Sequence, residues 1–143
     1  MGREKLEMTR DELDEFLSGE RVLRMATIDG DGWPAVVPVW FVWHGGAFWV
    51  WNLDRAARTE RLEDGDTRMS VVVDGGVEYQ ELRGVHARVE YRFVEDDDAP
   101  LEVRAIFNRK YFGGDDPVGH LDDHTWMELT PTVVRSWDFR KVM

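Results

Sequence analysis

The chain has 143 residues, of which 43% are hydrophobic and 12% aromatic, so it is long enough to fold around a sizeable core. It contains no cysteine, which excludes disulfides, thiolate zinc sites and a cysteine nucleophile. The formal charge of −11, from 29 acidic and 18 basic residues, disfavours binding to nucleic acid or to an anionic membrane surface.

The N-terminal segment MGREKLEMTRDEL is charged and has no apolar stretch of the kind found in signal peptides. The longest apolar run, Trp33–Trp43, is too short to span a bilayer and contains two prolines. We therefore expect a cytoplasmic protein that does not bind membranes. No linker or repeat divides the sequence, so residues 1–143 are predicted to form a single domain.

The first predicted element is a short amphipathic helix. Thr9 and Glu12 fit a capping box, and Met8 precedes it as one half of a hydrophobic staple with Leu13. Ser18-Gly19 is a stop signal. The apolar stripe that should face the core consists of Leu13, Phe16 and Leu17.

The next segment predicts a strand over Arg21–Ile28 and then an aromatic hairpin. One strand of the hairpin is Trp33–Trp43, the turn is His44-Gly45-Gly46, and the return strand is Ala47–Asn52. These residues include five of the seven tryptophans, which is typical of a core, a dimer contact or a surface that binds a planar ring. We expect the first two roles for most of these tryptophans and ligand contact for Trp51.

A helix over Ala56–Glu63 follows, and three arginines surround its start at Arg55, Arg58 and Arg61. An aromatic wall that ends in a cationic corner suits a planar ring system carrying a phosphate, because guanidinium groups match phosphate oxygens. The alternative is an ordinary solvated helix face. In that case the arginines would pair with the neighbouring acids Asp54, Glu60 and Glu63, and spacing alone does not choose between the two.

The rest of the chain reads mainly as strands. They are predicted over Met69–Val73, Val77–Glu95 with a bend at Gly84, Trp126–Thr130, and Thr132–Arg140 after a break at Pro131. A helix with Leu101, Ile106 and Phe107 facing inward is predicted after Asp96–Pro100. Six or seven strands joined by tight turns indicate an all-β, antiparallel, small barrel with peripheral helices.

Chemistry-bearing motifs are few. His120 and His124 stand four residues apart in a loop with no helix to align them, so we predict no metal site there. No serine lies in a nucleophile-elbow context, and the sequence names no catalytic residue. Hydride transfer suits such a chain, because a cofactor supplies the reactivity and the protein supplies binding and orientation.

Five segments together form a pattern that is typical of one protein family. The pattern covers nearly the whole chain, from Leu13 to about Lys141. The segments are Leu23–Ile28, Gly32–Phe41, Ala47–Asn52 with Arg58 and Leu62, Leu82–Ala87, and Pro131–Trp137. This pattern resembles the pyridoxamine 5′-phosphate oxidase-like FMN-binding split barrels, which include flavin- and deazaflavin-dependent reductases.

The resemblance implies a homodimeric split barrel with FMN, or alternatively coenzyme F420, between the subunits. From the resemblance we expect Arg24, Met25, Ala26, Thr27, Trp51, Asn52, Arg58 and Trp137 to bind the cofactor, and from the arginine cluster we add Arg55 and Arg61. Arg58 takes the place of the family's phosphate-binding lysine. Ala56 and Ala57 stand where the family has serine and arginine. The arginine–histidine motif for the pyridoxal substrate is absent after Trp137.

We therefore expect an oxidoreductase that binds FMN and transfers a hydride to or from a small molecule other than pyridoxamine phosphate. One alternative is a reductase that uses the deazaflavin coenzyme F420. Another is a non-catalytic protein that binds flavin or haem, which the loss of two phosphate donors at Ala56 and Ala57 keeps open.

Overall fold

The computed structural model describes Gly2 and residues 5–142, apart from the side chain of Asp64. These residues form three α-helices and seven strands. The helices are α1 (Arg10–Gly19), α2 (Ala57–Asp64) and α3 (Leu101–Tyr111). The strands are β1 (Leu23–Ile28), β2 (Pro34–Val39), β3 (Val42–His44), β4 (Ala47–Leu53), β5 (Met69–Gly75), β6 (Arg83–Val94) and β7 (His124–Asp138).

The seven strands form one antiparallel sheet in the order β2-β1-β5-β6-β7-β4-β3. Its two edge strands, β2 and β3, are separated in sequence only by Trp40 and Phe41. Such a link spans at most about 11 Å, whereas a flat seven-stranded sheet would hold its edges about 29 Å apart. The sheet therefore curls into a half-barrel, which confirms the predicted all-β, antiparallel class with peripheral helices.

The prediction that Trp33–Trp43 forms one strand of a hairpin is wrong. Pro34–Val39 pairs with β1, and only Val42–His44 pairs with β4. The turn itself is as expected, since Gly45 and Gly46 have φ angles of 62° and 77°. The error has a physical cause, because a continuous apolar run gives no local signal for the bend that divides it.

That bend is held by the last turn of α3. The amide of Phe41 donates a hydrogen bond to the Tyr111 hydroxyl at 2.9 Å, and this hydroxyl donates to the carbonyl oxygen of Arg21 at 2.6 Å. Lys110 Nζ donates to the Phe41 carbonyl oxygen at 2.9 Å. The Trp40 ring stacks on Tyr111, with centroids 4.3 Å apart and planes 9° apart. Burial raises the pKa of Tyr111 to about 12, so its hydroxyl keeps the proton that it donates.

The long strand predicted over Val77–Glu95 begins only at Arg83, because a 3₁₀ turn occupies Tyr79–Glu81. The expected alternation along the strand is confirmed, with Val85, Ala87 and Val89 buried. Gly84 is not where the register shifts. A Cβ there would lie 2.5 Å from Trp137 Cζ2, so the glycine is needed for close packing against that indole.

The two strands predicted on either side of Pro131 form the single strand β7. Pro131 lies opposite Val89, next to a register shift between Arg88 and Val89 in the β6–β7 ladder. Proline cannot donate a ladder hydrogen bond, so an irregular point in the ladder accommodates it without ending the strand.

The helices cover the sheet largely as predicted. The capping box of α1 is present, and Phe16 and Leu17 are buried. Helix α2 starts and ends one residue later than the predicted Ala56–Glu63. In α3, Phe107 is buried but Leu101 is 63% exposed, so its predicted inward orientation is wrong. Within the described residues, no helix has the length and apolar character needed to cross a membrane.

The closure of the half-barrel can be tested with Tyr111→Phe. This change should lower the free energy of unfolding by about 1–3 kcal/mol, because the buried amide of Phe41 loses its acceptor. Tyr79→Phe is the matched control, since Tyr79 is 62% exposed, and it should change stability by less than about 0.5 kcal/mol. Urea unfolding measures both. Equal effects would show that the Tyr111 hydroxyl does not hold the bend.

Candidate functional site

Two arginines of α2 face the ends of β1 and β4. Arg58 and Arg61 are three residues apart and therefore lie on one side of the helix. Arg58 Nε donates to Asn52 Oδ1 and Arg61 Nη2 donates to Thr27 Oγ1, each at 3.1 Å. Neither arginine forms an ion pair with any side chain that the structure describes. We call these two residues the arginine pair.

The arginine pair concentrates positive charge in a partly buried place. Burial lowers the pKa of Arg58, and the charge of Arg61 lowers it further. Arg61 Nε is buried and has no hydrogen-bond partner among the side chains that the structure describes. An unsatisfied buried donor costs about 1–3 kcal/mol, more when charged. The pair thus offers charge and donors that an anion such as a phosphate can satisfy.

A buried hydrogen-bond network holds the Arg58 side chain of the arginine pair in place. Asn52 is fully buried, and its Nδ2 donates to Thr59 Oγ1 at 2.8 Å, which leaves Oδ1 to accept from Arg58. Thr59 Oγ1 donates in turn to the carbonyl oxygen of Leu53 at 3.0 Å. Thr59 is not among the site residues predicted from the sequence, although its position between the two arginines on the helix could have indicated it.

The start of α2 adds backbone donors. Ala56 is the N-cap residue, and its side chain makes no capping hydrogen bond. First-turn amides without a side-chain acceptor, together with the partial positive charge of a helix N-terminus, favour an anion. The alanines at positions 56 and 57 therefore remove side-chain donors from this corner but leave its backbone donors in place.

A cleft of about 600 Å³ lies beside the arginine pair on the outer face of β1, β5 and β6. The strand register places Ala26, Ser70 and Arg88 side by side along its floor. Thr27 borders the cleft and also accepts the hydrogen bond from Arg61, so this residue connects the cleft to the arginine pair, which does not itself line the cleft. We call this hollow the main cleft.

A second hollow of about 250 Å³ adjoins Arg58 on its other side. Its walls are mostly rings and include Trp40, Trp51, Phe107, Phe112 and Leu121. The Trp51 ring stacks on the buried Trp126, with centroids 5.3 Å apart and planes 5° apart. We call this hollow the aromatic groove.

The remaining predicted site residues lie outside this constellation. Arg24 is on the outer face of β1 and pairs with Asp74. The Met25 side chain is fully buried in the core, so only its backbone can meet a ligand. Arg55 is exposed and pairs with Asp123 at 3.5 Å, and not with the neighbouring acids Asp54, Glu60 and Glu63 that the alternative of a solvated helix face named.

Trp137 is also far from the main cleft of its own chain. It pairs with Gly84, whereas the cleft residue Val89 is five positions further along β6. This corresponds to about 17 Å along the strand. The structure therefore brings together Thr27, Asn52, Arg58 and Arg61, with Ala26 in the main cleft and Trp51 in the aromatic groove.

The segment after α3, which carries Leu121 of the aromatic groove, is anchored by a histidine between two carboxylates. His120 Nδ1 lies 2.5 Å from the buried Asp96, and Nε2 lies 2.8 Å from Asp122. The hydrogen bonds to Asp96 and then Asp122 raise the pKa of His120. Within the described part of the chain, no cluster of three or more His, Cys, Asp or Glu side chains could hold a metal ion.

Comparison with known proteins places this geometry in a family. The model of the pyridoxamine 5′-phosphate oxidase family matches residues 9–138. The chain belongs to this family. No curated protein matches the chain in a sequence search.

Solved structures similar to this family member share its fold. The conserved hypothetical protein Rv2991 from Mycobacterium tuberculosis has a TM-score of 0.85 and 24% identity, over 99% of this chain and 92% of that one. The haem storage protein HutZ from Vibrio cholerae has a TM-score of 0.69 and 21% identity, over 87% and 92%. An F420 reductase has a TM-score of 0.64 and 19% identity, over 85% and 94%. The F420 reductase and HutZ differ in what their names say they bind, so the fold alone does not select a cofactor.

The hydrogen bonds of His120 to Asp96 and Asp122, which we call the His120 anchor, predict that the stability of the protein depends on pH in a specific way. Because the folded-state pKa of His120 is raised above its ordinary value of about 6.5, its contribution to stability is fully present below that value. It is lost as the pH rises through the folded-state pKa. The difference in free energy of unfolding between wild type and His120→Gln should therefore decrease as the pH is raised from 6. Urea unfolding at several pH values measures this difference.

His86→Gln is the control for this measurement, because His86 lies on the outer face of β6 and forms no ion pair among the described residues. Its stability difference from wild type should not follow the same pH course. A difference between wild type and His120→Gln that stays constant with pH would contradict the anchor.

Proposed function

We propose that this chain binds a flavin 5′-phosphate, FMN in the simplest case, in the main cleft and acts as an oxidoreductase on a small molecule. The observation that carries the proposal is the arginine pair, which has two partly buried cations with no carboxylate partner among the described side chains. The pair is connected through Thr27 to a cleft large enough for a ring system, in a chain of the pyridoxamine 5′-phosphate oxidase family.

Each residue of the site has a defined task in this proposal. Arg58 and Arg61 bind the phosphate, and the backbone amides at the start of α2 add donors. Asn52 and Thr27 hold the two guanidinium groups in place. The floor around Ala26 excludes water from one side of the ring. When bound, the flavin supplies the hydride-transfer chemistry.

The second part of the proposal is that two copies of the chain form a homodimer and complete each other's site. The floor of the main cleft is flanked by Val36, which is 61% exposed, and by Val133, which is 37% exposed. A partly apolar outer sheet face of this kind suits a second copy. In such a dimer, Trp137 of one chain can reach the main cleft of the other chain, although it does not reach the main cleft of its own chain.

The decisive experiment compares FMN with riboflavin. Arg58→Ala should weaken FMN binding about 10- to 100-fold, because a charge-assisted hydrogen bond to phosphate contributes about 1.5–3 kcal/mol. Riboflavin binding should change less than about threefold, since riboflavin has no phosphate. Fluorescence titration of each flavin gives both dissociation constants.

Arg55→Ala is the matched control, because it removes the same charge from an exposed residue three positions away that pairs with Asp123. It should leave both flavins nearly unaffected. Equal losses of FMN and riboflavin in Arg58→Ala would contradict the assignment of Arg58 to the phosphate.

The same titration separates the two alternative functions. If the protein does not bind FMN but changes the spectrum of added coenzyme F420, it would be a deazaflavin-dependent reductase, as the fold shared with an F420 reductase allows. A chain that instead develops a Soret band with haem would be a haem-binding protein, in line with the fold shared with HutZ.

A further inference from the structure

The aromatic groove begins where the proposed phosphate site ends. We propose that this groove binds the adenine ring of a flavin dinucleotide, so that the chain prefers FAD to FMN. This inference rests on the proposed function, because it extends the same ligand past its phosphate. It assigns a role to a ring-lined hollow next to Arg58 that FMN alone does not use.

The first argument is the order of the three sites along the protein. Thr27 joins the main cleft to Arg61, and Arg58 lies one helical turn away and lines the aromatic groove. A ring site, a cationic site and a second ring site therefore follow one another. A flavin dinucleotide has the same order of parts, with its two ring systems joined by a diphosphate. Two guanidinium groups also match two phosphates better than one.

The second argument is the chemistry of the groove walls. Trp40 is 45% exposed and Phe112 is 62% exposed, so both present ring surface to solvent. Trp51 also lines the groove, and its buried Nε1 has no hydrogen-bond partner within the described part of the chain. A purine offers a flat face for stacking and ring nitrogens that accept hydrogen bonds, so it can satisfy both features.

The third argument is the charge around the groove, which selects against an anionic extension. The deazaflavin coenzyme would need a basic path for its tail beyond the phosphate. Here Arg55 is already paired with Asp123, and Asp122 is engaged by His120 at the edge of the segment that carries Leu121. A neutral base avoids the repulsion that a carboxylate tail would meet beside these acids.

Titrations with FAD and FMN test this inference directly. In wild type, FAD should bind about tenfold or more tightly than FMN, since stacking of one base on aromatic side chains contributes that much. Phe112→Ala should lower FAD affinity at least about fivefold and leave FMN affinity unchanged. Unchanged FMN binding also shows that the variant is folded. Leu101→Ala is the matched control, because Leu101 is 63% exposed in the first turn of α3, the helix that Phe112 caps, and does not line the groove. It should affect neither flavin.

The outcomes separate the two proposals. If FMN binds but FAD binds no more tightly, the adenine site is refuted while the flavin site stands. Equal loss of both flavins in Phe112→Ala would also refute the adenine site, because it would indicate a general structural effect. If neither flavin binds, the proposed function fails and this inference fails with it.

Discussion

The two-residue link between β2 and β3 is the constraint on which the rest of the structure depends. It holds the two edge strands of a seven-stranded sheet within about 11 Å of each other, and only a curled sheet can satisfy that distance. The last turn of α3 fixes the link through Tyr111 and Lys110. The same contacts bring the rings of α3 beside β4, so the closure of the half-barrel also forms the aromatic groove.

The arginine pair illustrates how a site can work against the stability of its own fold. The chain has a strong excess of acid, yet two partly buried guanidinium groups lie one helical turn apart with no carboxylate partner among the described side chains. Burial lowers the pKa of Arg58, and the charge of Arg61 lowers it further, so the charged form is disfavoured. A bound phosphate would make the electrostatic energy of the two arginines favourable. Charged groups that destabilise the free protein and are stabilised by a ligand are typical of ligand sites.

Local signals predicted much of this fold from sequence, and long-range contacts explain what they missed. The capping box of α1 and the alternation of β6 are properties of neighbouring residues, and both were confirmed. The bend at Trp40 depends on contacts with Tyr111, far along the chain, so the continuous apolar run by itself predicts one strand where the fold has two. In the site, spacing identified three arginines alike. Only the fold shows that Arg55 meets Asp123 while Arg58 and Arg61 face buried polar groups. No local pattern in the sequence indicates the aromatic groove, because residues of α3 and β4, far apart in the chain, form it together.

The central claim is that the main cleft and the arginine pair together bind a flavin phosphate. A visible-absorption titration of the purified protein with FMN tests it most directly. The account predicts saturable perturbation of the flavin bands, with one FMN bound per chain. A flavin spectrum that stays unchanged in the presence of excess protein would contradict the account.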